Sequence, residues 1–204
     1  KKIASLTREI MEQRLPFPSE AIQRYCANNI ENSIWFWLRN KAILTLAFRA
    51  MRRPCELGYL KRKHISFEGG YMHICIPKSK TDQLRRGRWI PIDATGGQTC
   101  LVRCMRDWLN FYRAEPESWL FPGAIGAGSV TGGAINELVK KIMRTFGFGG
   151  RYTGHSLRIG GATAALKGGL TIDQIRSIGD WQLDAVLLYL KASAVAELGG
   201  SSLM

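Results

Sequence analysis

From Ile34 to Met51 the apolar residues Trp35, Leu38, Ile43, Leu44, Leu46 and Ala47 recur at the spacing of one helical face, which predicts a core helix over that stretch. Ahead of it, Ser19 reads as the N-cap of a helix running through Tyr25, with Glu20 in its first turn. Pro54 opens a short helix, where its missing N–H costs little. The pattern then changes: His64–Phe67, Tyr71–Ile76 and Arg88–Ile92 are short β-rich runs separated by Gly69-Gly70 and by the polar stretch 78–87. They predict a small sheet with one long basic hairpin loop. Helical patterning resumes over Gln98–Tyr112, stops in a Pro- and Gly-rich loop (Glu115–Gly128), and returns over Thr131–Arg144. After a glycine-rich connector (Phe146–Gly154), three further helices are predicted over Ser156–Lys167, Ile172–Ile178 and Ala185–Ala196; Thr171 and Asp184 are the candidate caps of the last two. The expected fold is mainly α with a small three-stranded antiparallel β-sheet inserted early.

Charge changes the picture more than size does. The 204 residues suffice for a hydrophobic core, and no apolar run is long enough to span a bilayer. A net charge of +13 on such a chain points to a polyanionic partner, since each Lys or Arg that meets a phosphate releases condensed counterions. Nucleic acid is the favoured partner on this ground, with a basic ribosomal or membrane-surface protein as the alternatives. The five cysteines (Cys26, Cys55, Cys75, Cys100, Cys104) are odd in number and lack C-x-x-C spacing, so they read as free thiols of a protein from a reducing, intracellular compartment. The chain begins without Met and lacks a signal-peptide pattern, which reads as part of a longer protein.

Four short segments carry candidate chemistry. In Gly154-His155-Ser156-Leu157-Arg158, a titratable imidazole and a fixed guanidinium lie one helical turn apart at a helix start, where both can hydrogen-bond one phosphate; a capped surface helix has the same signature. In Arg53-Pro54-Cys55-Glu56-Leu57, Arg53 stands just before a helix, with Glu56 one turn on to buttress it through a bidentate pair. Arg52 and the Lys61-Arg62-Lys63 run nearby read as a solvated basic face. In Lys78-Ser79-Lys80-Thr81, followed by Arg85, Arg86 and Arg88, a basic loop suits a DNA groove and one Lys could supply a proton; lysines also blunt sheet edges, and the two readings stay open at this point. Trp181 in Gly179-Asp180-Trp181 and Tyr189 in Leu187-Leu188-Tyr189-Leu190 would each, alone, be core residues.

Taken in order, R-P-C-E-L, K-S-K-T, G-H-S-L-R, G-D-W and the following Tyr resemble the active-site set of the tyrosine recombinase (phage integrase) family, over roughly residues 17–192. Tyr189 lies eight positions after Trp181, where nine is usual in the bacterial and phage branches, and the wording H-S-L-R-I-G-G-A-T resembles the DIRS-type and crypton mobile-element branch. The resemblance implies that Arg53 and Arg158 grip the scissile phosphate, with Glu56 in support. It implies that Lys80 (Lys78 as the alternate) is the general acid, that His155 assists proton transfer, that Trp181 donates its indole N–H, and that Tyr189 is the nucleophile. Arg52, Lys61, Lys78, Arg85, Arg86 and Arg88 are the expected DNA-contacting cations. No cofactor and no metal is expected, because transesterification conserves the bond energy and the sequence shows neither a P-loop nor a carboxylate cluster.

The same resemblance implies double-stranded DNA as partner, assembly as a homo-tetramer on it, and residence with DNA inside the cell, nuclear or cytoplasmic according to host. Residues 1–16 are then a basic linker from an N-terminal DNA-binding domain, 17–192 the catalytic domain and 193–204 a C-terminal tail. A type IB topoisomerase, and a DNA-binding protein that has lost the reaction but kept the fold, are the alternatives.

Overall fold

A computed structural model of the chain describes residues 15–77, 87–124 and 128–181, and within these it forms seven helices and one three-stranded antiparallel sheet. The helices are α1 (Ser19–Ala27), α2 (Ile34–Arg49), α3 (Pro54–Leu57), α4 (Leu101–Phe111), α5 (Gly132–Thr145), α6 (Gly154–Lys167) and α7 (Ile172–Gly179). The strands β1 (Ile65–Glu68), β2 (Tyr71–Ile76) and β3 (Arg88–Ile92) pair in chain order, with Ile65 opposite Ile74 and Ile76 opposite Arg88. Among the described residues no helix is long and apolar enough to cross a membrane.

Most expected elements are present, and the departures have local causes. Helix α1 is capped at Pro18 rather than Ser19: Pro18 is extended and its carbonyl already accepts from Ala21 N, so Ser19 falls inside the helix. Strand β1 begins one residue late because Arg62–His64 turns as a 3-10 helix, with His64 Nδ1 accepting from Lys61 N at 2.9 Å. Helix α6 starts two residues early, at Gly154, which puts His155 in its first turn. Thr171 caps α7 as expected, accepting from Gln174 N at 3.2 Å. The helix expected over Ala185–Ala196 lies outside the described residues.

Helix α2 is the hub. From Arg39 to Phe48 every residue is buried, and α4 and α6 pack against it. The approach of α6 is close enough to exclude side chains: a Cβ on Gly161 would be driven into the Phe48 carbonyl oxygen, and one on Gly160 into the Phe17 backbone. That backbone is itself tied to α6, Phe17 N donating to Ser156 O at 2.9 Å.

A polar cluster joins α1, α2 and α5. Glu31 accepts from Tyr25 Oη (2.7 Å), Asn40 Nδ2 (3.1 Å) and Lys141 Nζ (2.6 Å), and Arg39 donates to Asn40 Oδ1 and to Pro122 O. Burial pushes the Glu31 carboxyl up, but the hydrogen bonds from Lys141, Tyr25 and Asn40 outweigh it and hold the group below its ordinary value of 4.5.

Two outcomes follow for stability. In Gly161→Ala the helix gains about 1 kcal/mol in propensity, but the neighbour is a backbone carbonyl that cannot rotate away. The variant is expected to unfold with a net loss of about 1–3 kcal/mol in urea titration. Because its folded value is depressed, Glu31 contributes stability that is present above 4.5 and lost as pH falls through the lower folded value. Glu31→Gln should therefore lose about 1.5–3 kcal/mol at neutral pH. The gap to wild type should shrink steadily in urea titrations taken below pH 4.5.

Candidate active site

Three segments distant in sequence meet at one end of α6. The first is the turn between α2 and α3. Met51 has positive φ (52°), which breaks α2 and reverses the chain so that Arg53 becomes the residue before α3, with Pro54 at its first position. Glu56 folds back on this turn: Arg53 N donates to Oε2 at 3.0 Å and Arg53 Nη1 to Oε1 at 2.6 Å. The Glu56 side chain is 3% exposed and that of Arg53 20%, so a buried carboxylate holds a guanidinium that partly reaches solvent. Glu56 thus pairs with Arg53 as the R-P-C-E-L spacing suggested, but through one guanidinium nitrogen and the backbone N–H rather than through a bidentate guanidinium pair.

The second segment is the start of α6. Gly154 sits against the turn so tightly that an added Cβ would lie 2.7 Å from Pro54 Cγ, and Asn136 Oδ1 on α5 accepts from Gly154 N at 2.7 Å. The residue after Arg53 and the residue before His155 are thus in contact, and half-buried His155 stands beside that contact. One turn on, Arg158 is fully buried; its Nη1 donates to Met51 O (2.5 Å) and to Gly179 O (2.7 Å).

The third segment closes α7. Asp180 adopts the left-handed conformation (φ 57°) and its N–H returns to Arg176 O, as does that of Trp181 at 3.2 Å. The chain turns Trp181 inward, where its ring packs with Met51, Ala162 and Ile175 and lies under Arg158, whose guanidinium carbon is 3.9 Å from the ring centroid. A side chain at Gly179 would collide with the same ring. Arg53, Glu56, His155, Arg158 and Trp181 are therefore brought into one neighbourhood.

The sheet adds one cation. Arg88, the first residue of β3, donates to Ser177 Oγ on α7 at 2.9 Å, linking the base of the hairpin loop to the helix that presents Trp181. Lys78, Lys80, Arg85, Arg86 and Tyr189 lie outside the described residues.

One expectation about surface cations is corrected. Arg52, read as solvated and DNA-contacting, is 1% exposed: its Nε donates to Ala50 O at 2.6 Å, its Nη2 to Ile178 O, and Glu56 Oε2 lies 3.9 Å from Nη1. Burial pulls its pKa below the ordinary arginine value, the charges of Glu56 and Asp180 resist, and those of Arg53 and Arg88 add to the fall. The Lys61-Arg62-Lys63 run does lie at the surface, where two of its cations are paired. Lys61 and Lys63 both bind Glu117, at 2.8 and 2.7 Å, and hold its carboxyl at about 2, while Arg62 donates to Ile65 O. Sequence reasoning also missed Asn136 and Asp180. An Asn in the second turn of an amphipathic helix carries no signal of its partner 18 residues away, and Asp180 was seen only as part of G-D-W.

Around this site the electrostatics are coupled through Glu56, whose carboxylate meets both Arg52 and Arg53. Its removal takes from buried Arg52 the stronger of the two negative charges that act on it. Glu56→Ala is expected to cost about 3–5 kcal/mol in chemical denaturation at pH 7, and Glu56→Gln distinctly less, because the amide keeps one acceptor oxygen.

Comparison with known proteins places this arrangement. The profile of the phage integrase family matches residues 20–192. An integrase/recombinase xerD homolog from Selenomonas ruminantium is 29% identical over 136 residues, which are 64% of this chain and 40% of that protein. The XerH site-specific recombinase bound to palindromic difH substrate, in a post-cleavage complex, superposes with a TM-score of 0.70 at 19% identity, covering 93% of this chain and 53% of that one. The Tn1549 transposon integrase in complex with circular intermediate DNA superposes at 0.59 with 16% identity, covering 92% of this chain and 65% of that one. The chain thus spans between two fifths and two thirds of the length of these relatives.

Proposed function

This chain belongs to the phage integrase family of tyrosine recombinases, and we propose that it is the catalytic part of a site-specific recombinase that cuts and rejoins double-stranded DNA through a 3′-phosphotyrosyl intermediate. The observation that carries this reading is the convergence of Arg53, His155, Arg158 and Trp181, from three separate segments, on one end of α6.

In the proposed reaction the Tyr189 phenol oxygen attacks the scissile phosphorus, a bond forms from phosphorus to that oxygen, and the bond to the 5′-oxygen breaks. Phenol titrates near 10, so its proton must leave as it attacks, and His155 is the assigned acceptor. Lys80, or Lys78 in its place, protonates the departing 5′-oxygen. The charge that builds on the non-bridging oxygens is met by Arg53, by Arg158 and by the Trp181 indole N–H. Rejoining is the same exchange in reverse, with a DNA 5′-hydroxyl as nucleophile.

The partner is double-stranded DNA, as in the DNA complex of the Tn1549 integrase, and the net charge of +13 supplies the non-specific part of that affinity. Arg88 stands at the base of the basic hairpin loop, from which Lys78, Lys80, Arg85 and Arg86 would follow the groove. Residues 1–16 would lead from a separate DNA-binding domain, 17–192 form the catalytic domain, 193–204 a tail, and the working assembly would be a homo-tetramer.

Selection from a random duplex library would yield a bound sequence, and a nicked suicide substrate built on it tests the chemistry. Wild type is expected to accumulate a covalent protein–DNA adduct; Tyr189→Phe should form none while binding DNA as tightly. Arg53→Ala should slow adduct formation by about 100- to 1,000-fold. An adduct from Tyr189→Phe would show that another group is the nucleophile. Wild type that binds but never forms an adduct would instead identify a DNA-binding protein that has lost the reaction.

A further inference from the structure

The carbonyl ends of α2 and α7 are bridged twice, in adjacent register. Arg52 joins Ala50 O to Ile178 O, and Arg158 joins Met51 O to Gly179 O. Each guanidinium takes one carbonyl from each helix end. Arg158 belongs to the site itself, but Arg52 has no part in the reaction as set out above, and its guanidinium is engaged by Ala50 O and Ile178 O beside Glu56.

We propose that Arg52 is a positioning residue, whose buried guanidinium fixes the turn carrying Arg53 against the α7 cap carrying Trp181, so that Arg53, Arg158 and Trp181 address the same phosphate. The proposal deepens the strand-transfer reading and rests on it. Three features support a geometric role over a purely electrostatic one. The guanidinium is planar and presents donors in a fixed fork, so the two carbonyls it spans are held at a set separation and angle. Both are carbonyls at helix C-termini, which lack amide partners in the helix and carry partial negative charge, so they favour a cation. Glu56 binds the backbone and side chain of Arg53 on one side and lies 3.9 Å from Arg52 on the other, making the fork and the phosphate-facing arginine one connected unit.

The alternative is that Arg52 acts only through its positive field at the phosphate. Arg52→Lys separates the two: it keeps a cation beside Glu56, and so is the variant expected to fold, but a single ammonium on a flexible stem does not reproduce the fork. Arg52→Met removes the charge as well.

Three measurements decide it on the full chain. The first is amide hydrogen exchange over 178–181 in the free protein. The second is the single-turnover rate of adduct formation on the nicked suicide duplex carrying the selected sequence. The third is affinity for the intact duplex in a Tyr189→Phe background. Arg52→Lys should exchange faster over 178–181, form adduct about 100-fold more slowly, and bind the intact duplex with unchanged affinity. A wild-type rate for Arg52→Lys overturns the proposal in favour of the field. So does unchanged exchange over 178–181, or a loss of affinity that matches the loss of rate. If wild type itself forms no adduct, the strand-transfer reading falls and takes this proposal with it, an outcome read from the wild-type control alone.

Discussion

A helix that ends inside a protein leaves carbonyl oxygens without amide partners, and here α2 and α7 end side by side. Water cannot serve them, since Arg52 and Arg158, which do, are at most 1% exposed. Burying a cation is expensive unless it is fully engaged. The two costs offset each other: carbonyls that need donors meet guanidiniums that need acceptors, and Glu56 and the Trp181 ring complete the surroundings. Neither half would be stable alone. A hydrophobic residue at position 52 would leave Ala50 and Ile178 unpaired, and an unpartnered α7 end would leave the two arginines in an apolar pocket.

That junction requires backbones to approach closely, and the glycines of α6 and α7 serve this purpose rather than flexibility. Gly161 admits the Phe48 carbonyl, Gly160 the Phe17 backbone, Gly154 the Pro54 ring and Gly179 the Trp181 indole. In each case the group admitted lies next to a residue of the site or to the chain end that supports it. The packing of α6 on α2 and the placing of the site are therefore one structural event, and a larger residue at any of these positions would shift the site as well as the core.

How far the sequence foretold this depends on which kind of signal each part has. Helices α2, α4 and α5 and the strand pairing were legible because an apolar period is a local property that burial preserves. The start of α6 was placed two residues late because Gly154 and His155 are poor helix formers, and what fixes them is Asn136 on another helix. Arg53, Glu56, His155, Arg158 and Trp181 were legible as a set through their order and spacing, since each alone has an ordinary structural explanation. Arg52 was misjudged for a physical reason. An arginine within a basic run is normally solvated, and nothing in the sequence shows that two helices end on it.

The same burial sets the character of the site. Burial is what most depresses the Arg52 guanidinium; Glu56 and Asp180 act against that, each more strongly than Arg53 or Arg88 acts with it. The buried arginines are fixed by carbonyl dipoles, with Glu56 beside Arg52. Of Arg52, Arg53 and Arg158, Arg53 at 20% is the most exposed. In the proposed reaction a phosphodiester would meet Arg53 there, and the extra negative charge of a pentacoordinate phosphorus would strengthen that attraction. Groups locked in place beforehand need not reorganise as that charge develops, which is the condition under which electrostatic stabilisation favours the transition state over the ground state. On the proposed reading, the fold fixes the cations beforehand and the reacting phosphate would bring the negative charge to them.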